Sequence, residues 1–304
     1  MNEQVIKPRV SVCVLSYNHE HYIRQCLQSL VDQKTNFNFE VIIGDDCSSD
    51  KSRIIIDEFK SKYPGIIKPI YRENNIGGNA NYFDVHRRSQ GEYICHMDGD
   101  DYALPGKLQK QADKLDLNPS ISIVWHQMEM FNENGLRRVH PASLAPFLDV
   151  KISRGDLMLY GPFGPHSSTM YRKKNFSLRY KDFPAIDWLF SVDLIGTDSG
   201  FMMKEPLAAY RLQGLGTSGG AVGNIRTREM LCNCQLELIG RFPEYRSLVA
   251  LRAIFLAMMD FLTFKSYFIK SLKVFVHAKS FPNILSAPKL FTYYKFSKLP
   301  SEFK

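Results

Sequence analysis

The apolar positions change period repeatedly along the first hundred residues. Val10-Ser-Val-Cys-Val-Leu-Ser-Tyr17 is a short, nearly continuous apolar run and reads as a buried strand. Asn18 then stands where a helix N-cap belongs, and Tyr22, Ile23, Cys26, Leu27, Leu30 and Val31 recur at helical spacing through Gln33. Phe39 to Gly44 predicts a second strand. A helix marked by Ile54, Ile55, Phe59 and Tyr63 follows and is stopped by Pro64-Gly65. Ile66 to Tyr71 predicts a third strand, residues 72 to 79 a Gly- and Asn-rich loop, and a short helix to Ser89 precedes a strand ending at Asp98. Strands alternating with helices predict an α/β fold with a mostly parallel sheet covered on both faces.

The pattern is less regular afterwards. Pro105 to Leu117 predicts a helix, and Ile121 to Met130 alternates like a strand. Residues 131 to 155 read as loop. Asp187 opens a helix to about Ile195, and Gly200 to Met203 and Leu207 to Arg211 read as two short strands. Residues 226 to 276 carry helical spacing, suggesting a domain over 1–219 and a C-terminal extension over 220–304.

Charge sharpens that division. Of 39 Lys/Arg and 31 Asp/Glu, residues 241 to 304 hold 11 and three, leaving 28 of each sign in the first 240. The whole surplus of eight sits in the last fifth, where eight lysines are interleaved with eleven aromatics from Phe261 onward. That composition suits a segment on an anionic bilayer surface, or a helical cap with a solvated basic face. Nucleic acid is disfavoured because no recognised binding fold accompanies the aromatics. The six cysteines form no paired framework, which suits a reducing compartment. With no leader pattern and no run of about 20 apolar residues, the expectation is a cytoplasmic protein, peripheral on the membrane's cytoplasmic face.

The densest chemistry is Asp98-Gly99-Asp100-Asp101 at a strand exit. Carboxylates so close repel one another, so they call for Mn²⁺ or Mg²⁺ or else form a solvated, helix-capping turn. In parallel sheets ligands bind beyond the carboxyl ends of the strands. Three such ends carry Ser16-Tyr17-Asn18, Asp45-Asp46 and the aspartate cluster. A nucleoside diphosphate would use each: Tyr17 stacking on a base, Asp46 accepting from an imide or a ribose hydroxyl, and a metal at the diphosphate. Tyr17 as core and Asp46 as a cap are the plainer alternatives. Asn75, in the loop after the third strand, joins the nucleotide set. His166, in His-Ser-Ser-Thr169, is a candidate sugar-pocket residue. Gly214-Leu-Gly216-Thr-Ser-Gly219 matches a dinucleotide pattern but lacks its strand, helix and acid context, and reads as a loop that orders over phosphate.

In this order, Val10 to Asn18, Glu40 to Asp50, Gly91-Glu-Tyr-Ile94 with Asp98-Gly-Asp-Asp101, Asp187-Trp188 and Tyr210-Arg211 resemble glycosyltransferase family 2, of GT-A fold. The resemblance covers about residues 9 to 219. It implies that Tyr17 and Asp46 hold the nucleobase, that Asp98, Asp100 and Asp101 hold ribose and metal, and that Asp187 is the base of an inverting transfer. The donor would be a nucleotide sugar, a UDP-sugar first, and the acceptor a glycan, lipid-linked in surface polysaccharide assembly. Where the family often has a His after Tyr-Arg, this chain has Gln213, a weaker oxygen ligand. A non-catalytic nucleotide-sugar-binding protein and a nucleotidyltransferase are the alternatives.

Overall fold

The computed structural model describes residues 7–132, 137–140, 147–180, 187–212, 225–262 and 268–280. Val10–Ser16 (β1), Phe39–Asp45 (β2), Ile67–Tyr71 (β3) and Tyr93–Asp98 (β4) form a parallel sheet in the order β3-β2-β1-β4. Strands β1, β2 and β4 are buried on both faces, as unalternating apolar strands require, whereas the edge strand β3 buries only Ile67 fully. Helices Ile23–Val31 (α1), Ser52–Lys62 (α2) and Gly78–Arg88 (α3) follow β1, β2 and β3 as crossovers. Helix α1 turns Ile23, Cys26, Leu27 and Leu30 inward at 3.6-residue spacing.

The sheet changes character past β4. Tyr102–Ala103 (β5), Lys107–Asp116 (α4), Ile121–Phe131 (β6), Arg137–His140 (β7), Val150–Ile152 (β8), Arg154–Tyr160 (α5), Met170–Arg172 (β9), Asp187–Leu194 (α6) and Ser199–Arg211 (β10) follow in order. Strand β9 inserts antiparallel between β4 and β6, β6 pairs in parallel with β10, and β5 closes the edge antiparallel to β10. Three readings of the pattern are corrected here. Residues 131 to 155 are not all loop, because β7 and β8 pair with β6 and β10. Alternation in β6 conceals a strand buried almost throughout. The two short strands before Arg211 are one, interrupted by register shifts around Pro206, which has no N–H to give a ladder.

Ile225–Arg241 (α7), Arg246–Leu262 (α8) and Phe268–Ala278 (α9) close the described chain. One apolar cluster runs from Tyr82, Trp188 and Phe190 to Leu238, Val249, Phe255 and Val274, so these helices share a core with the sheet. Buried Arg228 pairs with Asp260 to tie α7 to α8, and Arg241 pairs with Asp193 to tie α7 to α6.

Candidate active site

Because β1, β2 and β4 are parallel, their carboxyl ends fall along one edge of the sheet. The register sets Ser16 beside Asp45 and Leu15 beside Asp98. Gly99 allows the acidic loop to fold back: its N–H bonds Leu15 O at 2.8 Å, and a Cβ there would lie 2.6 Å from His19 Nδ1. Any side chain at this point would push the aspartates off the strand end.

Asn18 is not the helix cap its position suggested. Helix α1 begins five residues later, and Asn18 sits at φ +55° with its Oδ1 accepting from Ser49 N at 2.9 Å. Its own N–H bonds Ser48 Oγ at 2.9 Å, so Asn18 fastens the β1 loop to the β2 loop. Tyr17, between these anchors, is 49% exposed and is no core residue. Buried Asp46 accepts from Ile76 N at 2.8 Å and Gly77 N at 2.9 Å, each on a different oxygen. Each oxygen keeps a second lone pair. Exposed Asn75 Oδ1 accepts from the same Gly77 N–H at 3.1 Å.

The aspartates differ. Burial would raise the Asp98 carboxyl, but hydrogen-bonded His96, with His166 and His19 nearby, holds it below the usual carboxylate range. Burial and the Asp98 charge push Asp100 up, and burial with both neighbouring charges pushes Asp101 well up. Asp101 Oδ1 accepts from Arg211 N at 3.0 Å. The Arg211 guanidinium lies over Tyr22 and Phe131 and bonds Asp100 O at 3.1 Å and Gln25 Oε1 at 2.6 Å. Arg211 therefore clamps the acidic loop onto β10 and α1. Gln213 and the 214–219 glycine loop lie outside the described residues.

Residues the sequence reading passed over support Asp98 from below. Tyr171 Oη, His86 Nδ1, His86 Nε2, His96 Nδ1, His96 Nε2 and Asp98 Oδ1 form a buried chain with links of 2.7, 2.9 and 3.1 Å. An ionised carboxylate only accepts, so His96 Nε2–H donates to it; His96 Nδ1 then accepts from His86, and His86 Nδ1 from the Tyr171 hydroxyl. His166 stacks on His96 with ring centres 3.8 Å apart, and burial lowers its pKa to about 3. His96, Asp98 and His166 bring donor atoms within 4.8 Å of one another. The signal for His96 was available: residues two apart on a strand share a face.

Lys107 is fully buried with neutral partners: Gln111 Oε1 at 3.0 Å, His126 Nε2 at 2.7 Å and Ser167 O at 2.9 Å. Ser167 Oγ in turn accepts from Asp98 N at 3.0 Å. Lys107 thus pins the 166–168 turn beneath the acidic strand end. Lys107→Met should cost about 3 kcal/mol, because it strands buried acceptors. A lowered urea midpoint at unchanged slope would register this, and a loss below about 0.5 kcal/mol would remove Lys107 from the scaffold.

Asp187 opens α6, where its Oδ1 accepts from Trp188 N at 2.9 Å. Trp188 is held by Leu157 O at 2.8 Å and covered by the Arg252 guanidinium of α8, so α5 and α8 position the Asp187 backbone. Burial first, with the nearby Asp98 charge adding, raises the Asp187 carboxyl to about 6. The charge that acts on Asp187 from the acidic strand end is that of Asp98. Asp193 instead pairs with Arg241.

Buried polar atoms without a hydrogen-bond partner among the described residues include Ser16 Oγ, His19 Nδ1, Asp45 Oδ2 and Asp101 Oδ2, all at this edge. Orphaned acceptors beside mutually repelling carboxyls fit a divalent cation and a polar ligand.

Residues 11–179 match the family described as glycosyl transferase family 2, and the chain belongs to that family. It is 36% identical over 207 residues to the uncharacterized protein Rv1520 of Mycobacterium tuberculosis, covering 66% of this chain and 58% of that one. The chain thus spans somewhat over half the length of these relatives. In solved structures, residues 1–349 of S. aureus TarS in complex with UDP-GlcNAc superpose with a TM-score of 0.66 at 19% identity, covering 95% of this chain and 88% of that one. The mannosyltransferase PcManGT of Pyrobaculum calidifontis, in complex with GDP-Man and Mn²⁺, gives 0.63 at 14%, covering 98% and 82%. Both share the GT-A architecture of this sheet.

Proposed function

We propose that the chain is a metal-dependent, inverting glycosyltransferase that moves a sugar from a nucleoside diphosphate donor to a glycan hydroxyl. The observation that carries this reading is the gathering of Asp98, Asp100 and Asp101 beside the ends of β1 and β2, among buried polar atoms left without partners, with Asp187 sensing the Asp98 charge. Asp187 takes the proton of the acceptor hydroxyl as its oxygen bonds the anomeric carbon. The bond to the nucleoside diphosphate breaks on the opposite face, so configuration inverts. Asp98, Asp100 and Asp101 would hold Mn²⁺ or Mg²⁺, which when bound neutralises charge on the departing diphosphate. Tyr17 offers an open ring for the base, Asp46 its free lone pairs for base or ribose donors, and Ser16, Asn18 and Asn75 line the same loops. Arg211 and His166 border the phosphate and sugar side.

A UDP-sugar is the first donor to test, since one structural neighbour is in complex with UDP-GlcNAc and another with GDP-Man. The acceptor in this proposal is a lipid-linked glycan of polysaccharide biosynthesis. Residues 1–219 supply the catalytic domain, and 220–304 form the extension that holds the chain peripherally on the cytoplasmic face of a membrane. Among the described residues no helix is long and apolar enough to cross one.

A panel of UDP-, GDP- and dTDP-sugars, each with Mn²⁺ or Mg²⁺, tests the donor. One nucleotide should raise the melting temperature by several degrees at saturating ligand and be slowly hydrolysed. Stabilisation without hydrolysis or transfer in any pairing would instead mark a binding protein.

A further inference from the structure

Helix α9 is apolar on two opposite faces. Ser271, Val274 and Ala278 are buried, whereas Ile269, Leu272 and Val276 are 51%, 41% and 66% exposed. At about 100° per residue the exposed three span roughly 60° of arc, on the side away from the buried three. The end of α8 extends this character with exposed Phe261 and Leu262, and Phe261 packs edge-on against Phe268 at the start of α9, 5.5 Å between centroids. Single exposed apolar side chains need no explanation, but a contiguous set on one helical hairpin marks a contact surface.

The charges around it select the partner. Lys273, His277 and Lys279 are exposed, and residues 268 to 280 contain no Asp or Glu. Lys270, the remaining lysine of α9, pairs with Glu229. The next 24 residues of sequence add four lysines and six aromatics against one glutamate. A second copy docked here through a two-fold axis would set these lysines against themselves. An anionic bilayer complements both the apolar face and its basic border.

We propose that this face of α9 and the end of α8 is the surface that docks on an anionic phospholipid bilayer. Leu272 and Val276 enter the acyl boundary while Lys273 and Lys279 meet the headgroups. The inference rests on the membrane reading above and adds the contact residues to it.

Full-length protein, mixed with vesicles of phosphatidylcholine alone or with phosphatidylglycerol, gives the test. The unaltered chain should bind the anionic vesicles in a salt-sensitive manner, and Leu272→Glu/Val276→Glu should bind about tenfold more weakly or less. Because that variant could misfold, Val276→Trp provides a second readout, with indole emission shifting to the blue on anionic vesicles. Equal binding by the double variant, with no shift from Val276→Trp, overturns this face while the membrane reading stands. No binding by the unaltered chain overturns both. A concentration-dependent dimer abolished by Leu272→Glu/Val276→Glu, without vesicle binding, assigns the face to a second copy and overturns the proposal.

Discussion

Asp100→Ala is expected to lower sugar transfer by about 10²-fold or more and to abolish saturable Mn²⁺ binding in calorimetry. The cause lies in how the strand end handles charge. Gly99 folds the loop against β1, so Asp100 and Asp101 cannot spread into solvent, and burial with mutual repulsion raises both carboxyls. A raised folded-state value favours the protonated form. The stability these groups contribute is therefore full at acid pH and lost as pH rises through their elevated values. A divalent cation held by these aspartates would reverse that loss, because it would bind the ionised form alone. The melting temperature of the metal-free protein should accordingly fall as pH rises above the usual carboxylate range, and added Mn²⁺ should restore it most at the alkaline end. Undiminished transfer in excess chelator would remove the metal from this account.

The early strands were legible because each is a short apolar run punctuated by polar loops, a signal that depends on burial alone. Their carboxyl ends were legible for the same reason, since the topology of a parallel sheet places them together whatever the side chains do. Strand β9 was not, because three residues between two polar turns carry no usable period and their strand state comes from pairing with β4 and β6. Buried His86 and Lys107 were hidden differently. Sequence marks a polar residue as surface by default; the hydrogen-bond chain from Tyr171 through His86 and His96 to Asp98 makes the histidine's burial tolerable, and Gln111, His126 and the Ser167 carbonyl do so for Lys107. Asn18 shows the converse, a residue whose type favours caps and left-handed backbone alike; here the backbone conformation prevailed, at φ +55°.

Asp187→Asn should slow transfer by about 100-fold or more while leaving donor affinity near normal. A sugar hydroxyl is a weak nucleophile near neutrality, so its proton must leave as the new bond forms, and a base serves only in its ionised state. Burial sets the Asp187 carboxyl at about 6, so kcat/KM should fall as pH drops through that value and level off above it. That acid limb should vanish in the Asn variant. A cap makes a different prediction, because Asn accepts from the Trp188 N–H about as well as Asp does and would leave turnover intact. Stability separates the roles again. With its folded value raised, ionised Asp187 subtracts stability at pH 8, so the uncharged Asn should melt no lower than the parent there, and the difference should shrink toward pH 4. Asp193 is a poor substitute base, six residues on and already paired with Arg241, so Asp193→Asn should act through loosened packing of α6 on α7. If Asp187→Asn keeps parental turnover and its acid limb, the proton goes elsewhere and the inverting mechanism proposed for this site loses its base.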